Sequence, residues 1–223
     1  MFSNGSGNGR TRRLPEVLTE QELGALIGQT NRRAPTGARN RAMLLVMGRC
    51  GLRVGEVTAL QTKDVTKDAL HVWNGKGAKD RTVPLDPQTR DAIERWQDVR
   101  RSLGIRTRAL FTTITNREEG AANLGDGRVL EAATRRGKPV SDRYIRQMVA
   151  RLAQRAGIEK QVHPHTLRHT AATVWLRQGL NLREVQTLLG HSSSVTTEVY
   201  THVFDQDLQR KMAALPPLIL TGA

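Results

Sequence analysis

The sequence has little cysteine, few aromatic residues and no long apolar run. Cys50 is the single cysteine among 223 residues, which excludes an internal disulfide framework and is typical of a reducing compartment. The longest clean apolar run, residues 42–47, is far shorter than the roughly 20 residues that span a membrane. The first ten residues are polar and lack the apolar segment of a secretory signal. The composition therefore predicts a cytoplasmic, helix-rich globular protein.

Acidic residues are scarce relative to basic ones. Lysine and arginine together number 35 and aspartate and glutamate 21, so the formal net charge is +14. Of the basic residues, 28 are arginines, whose forked guanidinium group matches phosphate oxygens better than a lysine ammonium does. This balance argues against an acidic solubilising protein and makes a polyanion, nucleic acid first, the expected partner.

The pattern along the chain divides it into an arm, one domain and a tail. Residues 1–13 are mainly Gly, Ser, Asn and Arg, which is typical of a flexible basic arm or a linker. The ordered domain is expected over 14–214, and an apolar tail follows at 215–223. The stretch 112–139 is rich in Gly, Asn, Arg and Glu, and a gap of that length inside a domain is typical of a functional loop.

Helices dominate the predicted domain. Thr19 and Glu22 form a capping box, in which each side chain accepts a hydrogen bond from the other residue's free backbone amide. Apolar periodicity, capping residues and glycine breaks then predict helices at 39–49, 54–60, 87–103, 141–157, 165–178, 182–189 and 195–203.

One segment is predicted to be β-structure. Residues 69–85 alternate between apolar and polar side chains and are interrupted by Gly75-Lys76-Gly77, which is typical of a hairpin turn. The predicted class is therefore α+β, mainly helical, with a small antiparallel sheet or hairpin that carries Lys76.

Several residues could carry chemistry, although each has an ordinary structural alternative. Arg53 follows a glycine break at a helix start, where arginine is usually a surface residue, and Lys76 could be a solvated turn lysine. His163, His165 and His169 could suggest zinc, but no thiol or carboxylate lies at a matching spacing. Arg168 follows His165 by three positions and shares its helix face.

Taken together and in order, these residues resemble the tyrosine recombinase (phage integrase) family. The resemblance covers residues 14–204 and rests on the motifs GLRVGE (51–56), GKG with KDRTVPL (75–85), HTLR (165–168), LGH (189–191) and Tyr200. It implies the family's catalytic-domain fold for 14–214. It further implies that the tail, 215–223, is exchanged between subunits of a ring.

The resemblance also implies how a DNA phosphodiester would be bound. Arg53 and Arg168 would clamp the non-bridging oxygens with charge-assisted hydrogen bonds, and His191 would donate a further one. Glu56 is expected to support Arg53 rather than to take part in the chemistry. No metal and no other cofactor is expected.

The remaining implied roles concern bond breaking. Tyr200 would attack the phosphorus, His165 would accept the phenol proton, and Lys76 would protonate the leaving 5′ oxygen. The product would be a 3′-phosphotyrosyl enzyme, formed without metal or ATP. The expected assembly is a homotetramer on paired sites in double-stranded DNA.

The chain departs from the family pattern in two places. We expect no N-terminal helical domain that closes around DNA, as in either a catalytic-domain fragment or a minimal recombinase, and the loop at 115–136 is longer than is typical. Two other functions stay open. A type IB topoisomerase uses a similar residue set but reseals the same strand, and residues 182–200 can also be read as a non-catalytic helix-turn-helix.

Overall fold

A computed structural model of the chain describes residues 16–73, 80–114 and 136–190. Within these ranges it contains seven α-helices, one 3₁₀ turn at Thr62–Asp64 and a two-stranded antiparallel sheet, which confirms the predicted class. The helices are α1 Glu20–Gly28, α2 Pro35–Gly48, α3 Val54–Ala59, α4 Pro87–Ser102, α5 Asp142–Arg155, α6 Pro164–Arg177 and α7 Leu182–Leu189, and the strands are β1 Ala69–Val72 and β2 Arg81–Pro84.

The helices begin at side chains that satisfy their free amides. The predicted capping box of α1 is confirmed: the Thr19 hydroxyl accepts from the Glu22 amide at 3.1 Å, and the Glu22 carboxylate accepts from the Thr19 amide at 2.7 Å. The Ser141 hydroxyl likewise accepts from the third residue of α5. α2 begins at Pro35, earlier than the predicted start at 39, because a proline in the first turn has no amide to leave unpaired.

α2 forms the centre of the domain. It packs against both α4 and α6, and its residues from position 42 to position 47 are completely buried. A helix that is apolar around its whole circumference belongs inside a core, so no single apolar stripe is needed here. In the described part of the chain, every helix is too short or too polar to cross a membrane.

The two strands pair as the alternating pattern predicts. Val72 pairs with Arg81 and Leu70 with Val83, and all four of these residues are buried on the inner face of the hairpin. The hairpin therefore turns one arginine inward among apolar side chains.

α6 and α7 pack together in a smaller apolar cluster of their own. Ala172 and Leu176 of α6 contact Val185 and Leu189 of α7, with Trp175 beside them. This packing holds the C-terminal end of α7 close to α6. The predicted helix at 195–203, the arm at 1–13 and the tail at 215–223 lie outside the described residues.

Candidate active site

Arg53 stands at the start of α3, immediately after the loop that follows α2. Its backbone amide donates to Glu56 Oε2 at 2.7 Å, and its Nη1 donates to Glu56 Oε1 at 3.1 Å. The side chain is still 39% exposed, so part of it faces solvent. The expected support of Arg53 by Glu56 is confirmed, and a guanidinium held in this way is available to an external anion.

Glu56 does more than support Arg53, because its side chain is only 9% exposed and lies against three arginines. Arg81 approaches both carboxylate oxygens, at 2.9 and 2.8 Å, and Arg168 Nη1 lies 3.8 Å from Oε2. Burial alone would raise the pKa of Glu56, but the hydrogen bonds from Arg81 and the Arg53 amide, with the charges of Arg81 and Arg168, hold it below its usual value. Glu56 is therefore an anion at neutral pH.

Arg168 of α6 is 5% exposed and is oriented by main-chain carbonyls. Its Nη1 donates to the Gly51 carbonyl at 2.6 Å, and its Nη2 donates to the Leu189 carbonyl at 2.7 Å. Gly51 has a φ of +66°, where residues with a Cβ are strained, and a Cβ there would lie 2.9 Å from Trp175. The glycine lets its carbonyl reach Arg168.

His165 lies one turn before Arg168 on α6 and is exposed. Partial burial lowers the pKa of its imidazole, and the charges of Arg146, Arg168, Arg53 and His163 lower it further. The neutral ring is thus the favoured form at pH 7, and a neutral ring can accept a proton. Arg53 and Arg168 meet at Glu56, at 3.1 and 3.8 Å, and His165 lies one helical turn from Arg168, so the three residues belong to one region of the domain.

Arg81 is a residue of this site whose role the sequence analysis missed. Its guanidinium pairs with Glu56, and its Nε donates to the Leu188 carbonyl at 2.7 Å. The only signal in the sequence was its position: in an alternating strand, an arginine in register with Val83 faces the core.

Cys50, next to Gly51, is not a competing nucleophile. The thiol is 1% exposed, and burial raises its pKa to about 12. Among the described residues, no group of three or more histidine, cysteine, aspartate or glutamate side chains is placed to hold a metal ion.

The structure therefore brings together three of the six predicted site residues, namely Arg53, His165 and Arg168. The other three, Lys76, His191 and Tyr200, lie outside the described residues. The described residues that flank Lys76 and precede His191 do reach the site, through Arg81 and Leu189. β1 and β2 flank residues 74–79, and α7 ends at Leu189, two positions before His191.

Comparison with known proteins agrees with this geometry. The sequence matches the Phage integrase family over residues 16–207. The chain belongs to the Phage integrase family. It is 40% identical over 202 residues to tyrosine recombinase XerD of Ralstonia nicotianae, an alignment that covers 88% of this chain and 59% of the relative.

Solved structures of family members share the fold. XerA recombinase is 32% identical with a TM-score of 0.72, over 93% of this chain and 67% of XerA. XerH site-specific recombinase, in a post-cleavage complex with palindromic difH substrate, is 26% identical with a TM-score of 0.67, over 91% of this chain and 54% of XerH. The chain thus spans about three fifths of the curated relative named above.

Family membership favours the recombinase interpretation over the helix-turn-helix alternative. A binding module of that kind would need only residues 182–200. It would not explain the contacts among Arg53, Glu56, Arg81 and Arg168. In this chain, those contacts form a cationic site at the end of α7.

Proposed function

We propose that this chain is the catalytic domain of a site-specific DNA recombinase that cleaves and rejoins strands through a 3′-phosphotyrosyl intermediate. One observation carries the proposal: Arg53, Arg81 and Arg168 share a single carboxylate, Glu56. Three guanidinium groups around one carboxylate leave two positive charges in a largely buried place. Such a cluster is costly without an anion, and a phosphodiester supplies one.

The surplus charge suits the transition state of phosphoryl transfer. Attack on a phosphodiester concentrates negative charge on the non-bridging oxygens, and donors fixed in advance stabilise that charge without reorganising. The Arg53 side chain is 39% exposed, and Arg168 is held by two carbonyls. We assign these two residues to the phosphate clamp, with His191 as a further donor.

The bond-breaking roles go to Tyr200, His165 and Lys76. The Tyr200 oxygen bonds to phosphorus while the bond from phosphorus to the 5′ oxygen breaks. The phenol proton passes to His165, whose lowered pKa keeps the ring neutral and able to accept it. The leaving 5′ oxygen takes a proton from Lys76. The phosphotyrosyl bond retains the energy of the broken phosphodiester bond, so the same steps in reverse order can rejoin a strand.

Double-stranded DNA is the proposed partner, bound in the cytoplasm by a homotetramer on paired sites. The net charge of +14 supports a polyanionic partner, and the XerH relative is described in complex with a difH substrate. The tail, residues 215–223, is assigned to contacts between neighbouring subunits.

We expect cleavage to survive EDTA, because arginine, histidine and lysine side chains neutralise the phosphate in this mechanism. Binding should weaken steeply with salt as counterions are released. A strict requirement for a divalent ion would point instead to a metal-dependent nuclease.

A nicked suicide substrate, analysed on a denaturing gel, tests the proposal. The wild-type chain should form a covalent DNA adduct, and Tyr200→Phe should bind DNA equally well but form none. Tyr144→Phe is the matched control, because the Tyr144 hydroxyl donates to Asn40 at 3.0 Å within the domain. An adduct that persists in Tyr200→Phe and disappears in Tyr144→Phe would refute the assignment. Relaxation of supercoils without exchanged products would favour the topoisomerase alternative.

A further inference from the structure

Arg81 occupies a position that an apolar residue would ordinarily fill. It lies on the inner face of the hairpin, opposite Val72 and two positions before Val83, and its side chain is 4% exposed. A buried arginine is expensive unless its donors are satisfied, so its presence needs a reason beyond strand packing.

The contacts of Arg81 use the planar fork of the guanidinium. Nη1 and Nη2 donate to the two oxygens of Glu56 at 2.9 and 2.8 Å, and Nε donates to the Leu188 carbonyl at 2.7 Å. A lysine ammonium carries three donors on a single nitrogen, so it cannot place them in the planar fork that meets both oxygens of Glu56 and the Leu188 carbonyl together. The arrangement therefore requires arginine in particular.

Arg81 and Arg168 together hold the last turn of α7. The Leu188 carbonyl accepts from Arg81 and the next carbonyl, Leu189, accepts from Arg168 at 2.7 Å. Both guanidinium groups also approach Oε2 of Glu56, at 2.8 and 3.8 Å. Positive groups at the C-terminal end of a helix complement its dipole, and here the same groups fix where the chain leaves the helix.

We infer that Arg81 is a positioning residue for the phosphate clamp: through Glu56 and the Leu188 carbonyl, it holds Arg168 and the end of α7 in the arrangement that strand cleavage requires. Nη1, Nη2 and Nε of Arg81 donate to Glu56 and to the Leu188 carbonyl, so we assign it an action through Arg168 and not on the phosphate. This inference rests on the proposed function for its catalytic readout.

The decisive variant is Arg81→Lys, with Arg100→Lys as the matched control. Arg100 is 5% exposed and donates to a main-chain carbonyl, that of Thr107, at 2.8 Å, in the segment after α4 and not in the described part of the site. Both variants should lower the melting temperature. Only Arg81→Lys should slow single-turnover cleavage, by about 10²-fold, because small displacements of clamping groups cost rate steeply. The Kd for site DNA should stay unchanged.

A substrate with sulfur at the bridging 5′ position identifies the part of the site that Arg81 serves. Sulfur leaves without protonation, so it bypasses the general acid that we assign to Lys76. Cleavage by Arg81→Lys should stay slow on this substrate if the residue acts through Arg168 and α7. Recovery comparable with that of Lys76→Ala would overturn the inference, since Arg81 would then act through the lysine hairpin. Wild-type cleavage rates in Arg81→Lys, or equal losses in Arg100→Lys, would overturn it too.

Amide hydrogen exchange without DNA separates this inference from the proposed function. Arg81→Lys should speed exchange at the Leu189 and Gly190 amides, and Arg100→Lys should not. If the wild-type chain forms no adduct with DNA, the proposed function fails, while this exchange pattern still reports on the clamp. Unchanged exchange in Arg81→Lys would refute the positioning role. Should Arg81→Lys not fold, Arg81→Gln takes its place in the same measurements, because its amide can still donate to one acceptor.

Discussion

Arg168 donates a 2.6 Å hydrogen bond to the carbonyl of Gly51, which lies 117 positions earlier in the chain. This bond ties α6 to the loop after α2, and so connects Arg168 to the loop that carries Arg53, the second residue of the proposed phosphate clamp. The site therefore depends on a long-range hydrogen bond from Arg168 Nη1 to a main-chain carbonyl.

For Arg168→Lys, we expect cleavage to slow by about 10²- to 10³-fold, the usual cost of losing one fixed donor to a developing anion. The free energy of unfolding should fall by about 1–3 kcal/mol, because lysine leaves one buried carbonyl without a donor. Adduct formation and urea unfolding measure the two effects. Arg100→Lys should lose stability but keep cleavage; equal cleavage loss in both variants would contradict the assignment.

Gly190→Ala tests how closely α7 ends against Arg81. Gly190 has a φ of +65°, and a Cβ there would lie 3.0 Å from Arg81 Nη1. Gly157 is the matched control, since its φ is +68° with nothing within 4 Å of a Cβ. Gly157→Ala should cost about 1–2 kcal/mol for the left-handed conformation alone. Gly190→Ala should lose more stability than Gly157→Ala and should also slow cleavage. If thermal unfolding shows equal losses of stability, the Arg81 side chain moves aside without cost.

The pH dependence of cleavage should report on His165. A proton acceptor works in its neutral form, so the rate should hold above its pKa and fall below it. Because burial and the charges of Arg146, Arg168, Arg53 and His163 lower that pKa, the fall should begin below the usual histidine value of about 6.5.

His165→Gln should cleave slowly at every pH, and its rate should no longer fall at acid pH. His163→Gln should keep the fall in rate but move it toward higher pH, because one neighbour that lowers the pKa of His165 is gone. A fall in rate at acid pH that survives in His165→Gln would show that another group accepts the proton.

Lys76→Ala should slow cleavage far more than DNA binding, because a general acid acts only as the leaving oxygen develops charge. A substrate with sulfur at the bridging 5′ position should restore much of the rate, since a thiolate leaves without a proton. Lys79→Ala is the control on the same turn. If sulfur rescues Lys79→Ala and not Lys76→Ala, the acid is Lys79.

Much of the fold could be predicted because it depends on neighbours in the sequence. The capping box at Thr19 and Glu22 joins residues three apart, and the alternation of 69–85 follows from a strand period of two. The grouping of Arg53, His165 and Arg168 was also predictable, although only from the resemblance of their motifs to a family.

What the sequence determined by itself, then, was local: helix starts, the hairpin, the basic charge and the motifs. Only the tertiary structure decided that Glu56 is shared by three arginines, that Arg81 faces inward onto it, and that Arg81 and Arg168 hold successive carbonyls of α7. Arg53 lies three positions from Glu56, but the other contacts join residues that are 21 to 112 positions apart. No local pattern encodes them, because a buried guanidinium takes its partners from whichever acceptors the packing of α2, α6 and α7 brings within reach.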